Sequence, residues 1–186
     1  TAFLDNVIIP LEDSIKRESL WSIISYCEIS MIITNSENTS RLQEMLENYI
    51  YKVGIYNIDT SQYIYVGGEN EIVQGNDDED DVFIMLHTSG TTSNPKKVML
   101  TNANLIANIE SNIASLGITE NDVCLIVLPM FFGYCNSSQF LSHLYLGARI
   151  VIYDSTFAPR KFLQVIDKEK CTNTTCVPSM LFLVVK

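Results

Sequence analysis

The stretch Val82-Phe83-Ile84-Met85-Leu86-His87-Thr88-Ser89-Gly90-Thr91-Thr92-Ser93-Asn94-Pro95-Lys96-Lys97-Val98 decides how the chain is read. Its first six residues form an apolar run of the length and composition of a buried β-strand. The run ends abruptly in hydroxyl side chains at 88, 89, 91, 92 and 93, with one glycine, one proline and two lysines among and after them. Hydroxyls together with the backbone N–H groups of a turn at Gly90 make a cluster of hydrogen-bond donors, and such a cluster suits phosphate oxygens. Lys96 adds a compact positive charge on a flexible stem. An ordinary Ser/Thr-rich turn is the plainer alternative. The length of the polar run, its place directly after a strand and its Pro-Lys ending speak for a ligand. A Walker A loop fits less well, because counting from Gly90 puts Pro95 at the second glycine and Lys97 where Ser or Thr belongs.

Outward from this stretch, short apolar runs alternate with longer segments of helical period, the mark of βαβ units. Strands are predicted at 29–34, 53–58, 82–87, 123–128, 149–153 and 174–177, and helices at 13–27, 39–49, 101–117, 136–146 and 159–168. The clearest helix starts at the N-cap candidate Thr101, carries Leu105, Ile106, Ile109, Ile113 and Leu116 on one face and stops at Gly117. The expected fold is α/β, a mainly parallel sheet with flanking helices. We read it as one partial domain, residues 1–186, with an N-terminal βα portion (1–74), an acidic linker (75–81) and a phosphate-loop portion (82–186). The linker holds Asp77-Asp78-Glu79-Asp80-Asp81, contiguous acids that repel one another and belong in solvent.

Composition narrows the possibilities. The 186 residues are 47% hydrophobic and 18% charged, which is globular and argues against general disorder. Twelve Lys+Arg against 22 Asp+Glu give a net charge of -10, so a nucleic-acid partner is not expected. The uncharged stretch 123–139 is broken by Pro129 and Gly133 and is not expected to span a membrane. Five cysteines without a C-x-x-C pair, and no secretory leader, lead us to expect reduced thiols in a cytoplasmic protein. No metal site is assigned, and neither His87 nor His143 stands beside a nucleophile or metal cluster in the sequence. The start at Thr1 and the apolar finish 181–186 suggest a piece of a longer chain.

Thr88 to Val98 resembles T-S-G-[ST]-T-G-x-P-K-G-V, the phosphate-loop signature of the AMP-forming adenylate synthetases, a family that includes acyl-CoA synthetases, peptide-synthetase adenylation domains and beetle luciferase. Ser93 and Lys97 stand where the signature has its second and third glycines. Flanking segments follow in the family's order: Val7-Ile8-Ile9-Pro10-Leu11 with Arg17, Met99-Leu100-Thr101-Asn102-Ala103-Asn104-Leu105, Leu128-Pro129-Met130-Phe131-Phe132-Gly133, Leu146-Gly147-Ala148-Arg149-Ile150-Val151 and Val177-Pro178-Ser179-Met180. Phe132 occupies a position where that family often has histidine.

The resemblance implies part of the large N-terminal domain of an ATP-dependent, AMP-forming acid ligase, with ATP and Mg²⁺ as cofactors and CoA as a further candidate. A carboxylic acid and a CoA or carrier-protein thiol would be its other partners. It assigns Thr88, Ser89, Gly90, Thr91, Thr92 and Lys96 to the ATP phosphates, and lets Phe131, Phe132 and Tyr134 border the acyl or CoA-arm pocket; those aromatics read equally well as core. Catalytic residues, the adenine and ribose motifs and the C-terminal lysine-bearing domain are expected after Lys186, so the fragment alone should be inactive. Two other readings stay open: a non-catalytic acyl- or nucleotide-binding relative, and an unrelated α/β phosphate-binding module. Lys97 places a Cβ where the signature glycine leaves the backbone free.

Overall fold

Residues 6–72, 82–87 and 97–185 are described by the computed structural model, with His87 and Lys97 described through their backbone only. The chain folds as two compact units, Leu11–Asp78 and a second composed of Thr1–Pro10 with Glu79–Lys186.

In the unit Leu11–Asp78, helices α1 (Arg17–Cys27) and α2 (Ser36–Leu46) alternate with β1 (Met31–Thr34) and β2 (Lys52–Asn57), and β3 (Gln62–Gly67) closes the unit. β1 pairs parallel with β2, as a helical crossover requires, while β2 and β3 form an antiparallel hairpin. The hairpin bend is local chemistry: Asn57 Oδ1 accepts from the Asp59 and Thr60 amides at 3.0 and 3.3 Å. α2 starts on Asn35, whose side chain accepts from the Asn38 amide. Leu20, Ile24, Leu42, Met45, Leu46, Tyr49, Val53 and Ile55 make a continuous apolar core. β3 shows the alternation of a half-buried strand, with Ile64 and Val66 toward that core and Tyr63 and Tyr65 exposed.

The second unit starts from a hairpin of β4 (Val82–His87) and β5 (Lys97–Thr101), then α3 (Asn102–Leu116). β6 (Val123–Ile126) follows, then a π-helical segment (Cys135–Leu141) running into α4 (Ser142–Leu146). β7 (Arg149–Ile152), α5 (Pro159–Glu169), β8 (Asn173–Thr174) and α6 (Pro178–Val185) complete it. β6 lies between β7 and β8, parallel to both. Leu125, Tyr153 and Phe162 form a core on one side of β6, and Cys124, Ile126 and Cys135 form another.

The α/β class is therefore observed, with parallel pairing at β1–β2 and β7–β6–β8 and antiparallel hairpins at β2–β3 and β4–β5. α3 begins and ends where expected: Thr101 and Asn104 form a reciprocal capping box and Gly117 closes it in the left-handed region at φ 65°. Leu105 and Ile109 of its apolar face are buried, whereas Ile106 and Leu116 are exposed. Several elements depart from expectation: α6 was not foreseen as a helix, and of the strand expected at 174–177 only Thr174 belongs to β8 (Asn173–Thr174). β3 and β5 were not foreseen as strands, and the helix expected at 136–146 divides into a π segment and one short α-helix. Among the described residues no helix is long and apolar enough to cross a membrane, and no disulfide joins the cysteines.

Candidate functional site

β4 is held on both sides. β5 pairs with it through Leu86–Val98 and His87–Lys97, after a register shift between Val82 and Ile84. On its other side, the Ile8 amide donates to Phe83 O and Ile8 O accepts from the Met85 amide, each at 2.9 Å. The sequence-assigned phosphate residues Thr88, Ser89, Gly90, Thr91, Thr92 and Lys96 lie outside the described residues, between the paired ends His87 and Lys97. Lys97 itself belongs to β5, where extended backbone accepts any L-residue.

The aromatic candidates occupy the turn that follows β6. In open α/β sheets the carboxyl ends of parallel strands are where ligands bind, because the chain must leave the sheet there and opens a crevice. The turn is tightened by the Phe132 amide, which donates to Pro129 O at 3.2 Å. Phe131 and Phe132 stack obliquely, with ring centroids 4.3 Å apart and planes at 40°. Phe131 is half-buried, whereas Phe132 and Tyr134 are 49% and 64% exposed. Tyr134 is thus not core, and Phe132 presents half its surface. Gly133 comes close to β4: a Cβ there would fall 2.8 Å from Leu86 Cδ1. The aromatic turn accordingly lies against the strand residue next to His87, at the root of the hydroxyl-rich segment.

Behind the turn lies a polar assembly that sequence reading missed. Gln139, Ser142 and His143 are all buried. Gln139 reaches both neighbouring thiols, with Nε2 donating to Cys124 Sγ and Oε1 accepting from Cys135 Sγ, each at 3.7 Å. The single Cys135 proton is shared between Gln139 Oε1 and the nearer Leu128 O at 3.1 Å, and Asn136 Nδ2 donates to Met130 O at 3.2 Å. Hydroxyls serve carbonyls in and just before the π segment: Ser137 donates to Gly133 O at 2.9 Å, Ser138 to Tyr134 O, and Ser142 to Ser137 O at 2.9 Å. His143 spends both ring nitrogens, Nδ1 lying 2.6 Å from Gln139 O and Nε2 3.0 Å from Asn173 Nδ2. Since the Asn173 amide nitrogen can only donate, Nε2 accepts and the ring proton sits on Nδ1. Both ring nitrogens of His143 are thus taken up by structural bonds. Burial pushes the Cys124 thiol up to about 12 and the Cys135 thiol up to about 11. The sequence signal for this assembly was faint: three polar residues on what reads as the inner face of an amphipathic helix. Among the described residues no group of three or more His, Cys, Asp or Glu is arranged to hold a metal ion.

Comparison with known proteins places these features in one family. The family model described as AMP-binding enzyme matches residues 1–186, so the chain belongs to the AMP-binding enzyme family. It is 35% identical over 122 residues to 4-coumarate–CoA ligase 1 of Solanum tuberosum, an alignment covering 63% of this chain and 22% of that one. It is also 37% identical over 102 residues to oxalate–CoA ligase of Arabidopsis thaliana, covering 54% of this chain and 20% of the relative. Among solved structures, O-succinylbenzoate coenzyme A synthetase of Bacillus subtilis in complex with AMP superposes with a TM-score of 0.72 at 25% identity, covering 94% of this chain and 43% of that one. The fold is thus that of part of the large N-terminal domain of an adenylate-forming enzyme. The chain spans about a fifth of the length of these curated relatives.

Proposed function

We propose that this chain is part of an ATP-dependent, AMP-forming ligase that joins a carboxylic acid to a thiol. In the first half-reaction the carboxylate oxygen attacks the α-phosphorus of ATP, the bond to the β-phosphate oxygen breaks, and pyrophosphate leaves. In the second, a CoA or carrier-protein thiolate attacks the acyl carbon and AMP leaves with the electron pair of the broken acyl–oxygen bond. The observation that carries this reading is the donor set Thr88, Ser89, Gly90, Thr91, Thr92 and Lys96, directly after a buried strand, in a chain whose whole length matches the AMP-binding enzyme family.

The chemistry of that donor set fits a triphosphate: neutral hydroxyls and amides for phosphate oxygens, and one ammonium for their charge. Mg²⁺ would share the rest of that charge. The segment acts by positioning and by stabilising negative charge as it shifts onto the departing pyrophosphate, with no covalent role. Phe131, Phe132 and Tyr134 would border the acid or the thiol's arm, since the turn offers ring surface to solvent beside the strand that leads into the donor set. The two 4-coumarate and oxalate relatives use very different acids, so the acid is left open here. Adenine and ribose contacts and the lysine-bearing domain would come from residues beyond this chain, and the chain by itself would be inactive.

The test is acid-dependent exchange of labelled pyrophosphate into ATP by the complete protein, with aromatic, aliphatic and dicarboxylic acids supplied in turn. Exchange with at least one acid is expected, with Lys96→Ala lowering its rate about a hundredfold. No exchange with any acid would favour a non-catalytic acyl- or nucleotide-binding relative.

A further inference from the structure

The π-helical segment Cys135–Leu141 needs an explanation, because π geometry is poorer than α geometry and occurs mostly as single turns at functional sites. Here it starts on the residue after Tyr134, so it sets the direction in which the aromatic turn leaves β6. At its centre Gln139 is 2% exposed. A leucine or methionine would fill that space without the cost of burying a carboxamide. The carboxamide is instead spanned between Cys124 of β6 and Cys135 at the segment's start. Sulfur is a weak partner, so this arrangement returns little stability for the desolvation it costs. What it does provide is a directional tie: the strand, the carboxamide and the first residue after the turn are held in one rotation. Leu128 O is tied to the same thiol at 3.1 Å, so the turn is pinned at its beginning as well as at its end.

We propose that Gln139 is a positioning residue for the acid-binding turn, fixing Phe131, Phe132 and Tyr134 through Cys124 and Cys135 without touching substrate. This rests on the ligase reading above. Because Gln139 bonds Cys124 and Cys135 and not the β4–β5 hairpin, its effect falls mainly on the acid rather than on ATP.

The experiment uses the complete protein and pyrophosphate exchange with whichever acid supports it best. Gln139→Met keeps length and packing but removes both bonds; Cys124→Ala removes only the acceptor and serves if the first variant does not fold. The expected result is a KM for the acid raised about tenfold, a KM for ATP within about twofold of wild type, and a thermal midpoint little changed. A folded variant with an unchanged acid KM, or with acid and ATP constants raised together, overturns the positioning role while leaving the ligase reading intact. Wild-type protein that exchanges with no acid removes the ligase reading itself, and this inference with it.

Discussion

The two units bury different kinds of matter. Leu11–Asp78 encloses mainly hydrocarbon: Leu20, Ile24, Leu46, Val53 and Ile55 are wholly buried with apolar neighbours, and the buried polar Asn57 serves the local turn after β2. The unit that carries the candidate site buries Gln139, Ser142 and His143 beside two thiols, and each is held by a named bond. Apolar packing supplies stability in proportion to area and tolerates small rearrangements. A buried polar network supplies less net stability and more orientation. Under the proposed role of the aromatic turn, the comparison teaches that orientation is invested beside that turn, and hydrocarbon where the chain only has to hold together.

Removing hydrocarbon from the first unit should produce the largest effect. Leu46→Ala, at a wholly buried position, is expected to cost about 2–5 kcal/mol by denaturant unfolding, from lost burial plus the cavity left behind. His143→Leu comes next at about 1–3 kcal/mol, because Asn173 Nδ2 loses the acceptor it had and the Gln139 carbonyl loses its ring donor. If that loss equalled the leucine truncation, the distinction between the two units would fail. Thr101→Ala should cost about 1 kcal/mol, seen as fraying of the first turn of α3, since the Asn104 amide loses its acceptor.

The smallest effect concerns pH. The Thr172 hydroxyl, then the Thr119 amide, hold the Asp122 carboxyl below the usual carboxylate range. A depressed folded value means that the charged form is favoured by folding. Its contribution is complete above the ordinary carboxylate value of about 4 and is lost as pH falls through the lower folded one. Thr172→Val removes the principal cause, so the stability gap between wild type and variant should be constant near neutrality and narrow in acid. Urea midpoints measured from pH 7 downward would show a gap independent of pH if Asp122 had no such role.

Local features of this architecture could be read from the chain alone. Thr101 and Gly117 bound α3 through contacts within three or four residues, and those spacings are visible in sequence. The Thr88 to Lys96 stretch was read as phosphate chemistry from its hydroxyls, glycine and lysine, and it lies outside the described residues. β3 carried a plain signal, the alternation Gln62-Tyr63-Ile64-Tyr65-Val66 after an Asn57-centred turn, that had simply not been used. β5 was hidden because Lys97–Thr101 reads as the tail of one motif and the beginning of α3. The π segment could not be foreseen: its apolar spacing fits an α-helix, and what selects the wider turn is hydroxyl bonding such as Ser142 to Ser137 O. The Gln139–Cys124 and His143–Asn173 links join residues far apart in the chain, and pairings of that kind leave no local mark.

The elevated thiol of Cys124 carries a chemical corollary. With a value of about 12, only roughly one sulfur in 10⁵ is ionised at pH 7, and the thiol form is a poor attacking group. Under the proposed ligase reading, an acyl-adenylate formed beside this turn would meet in Cys124 a weak nucleophile. The acceptor thiol would then face no competition from that side chain.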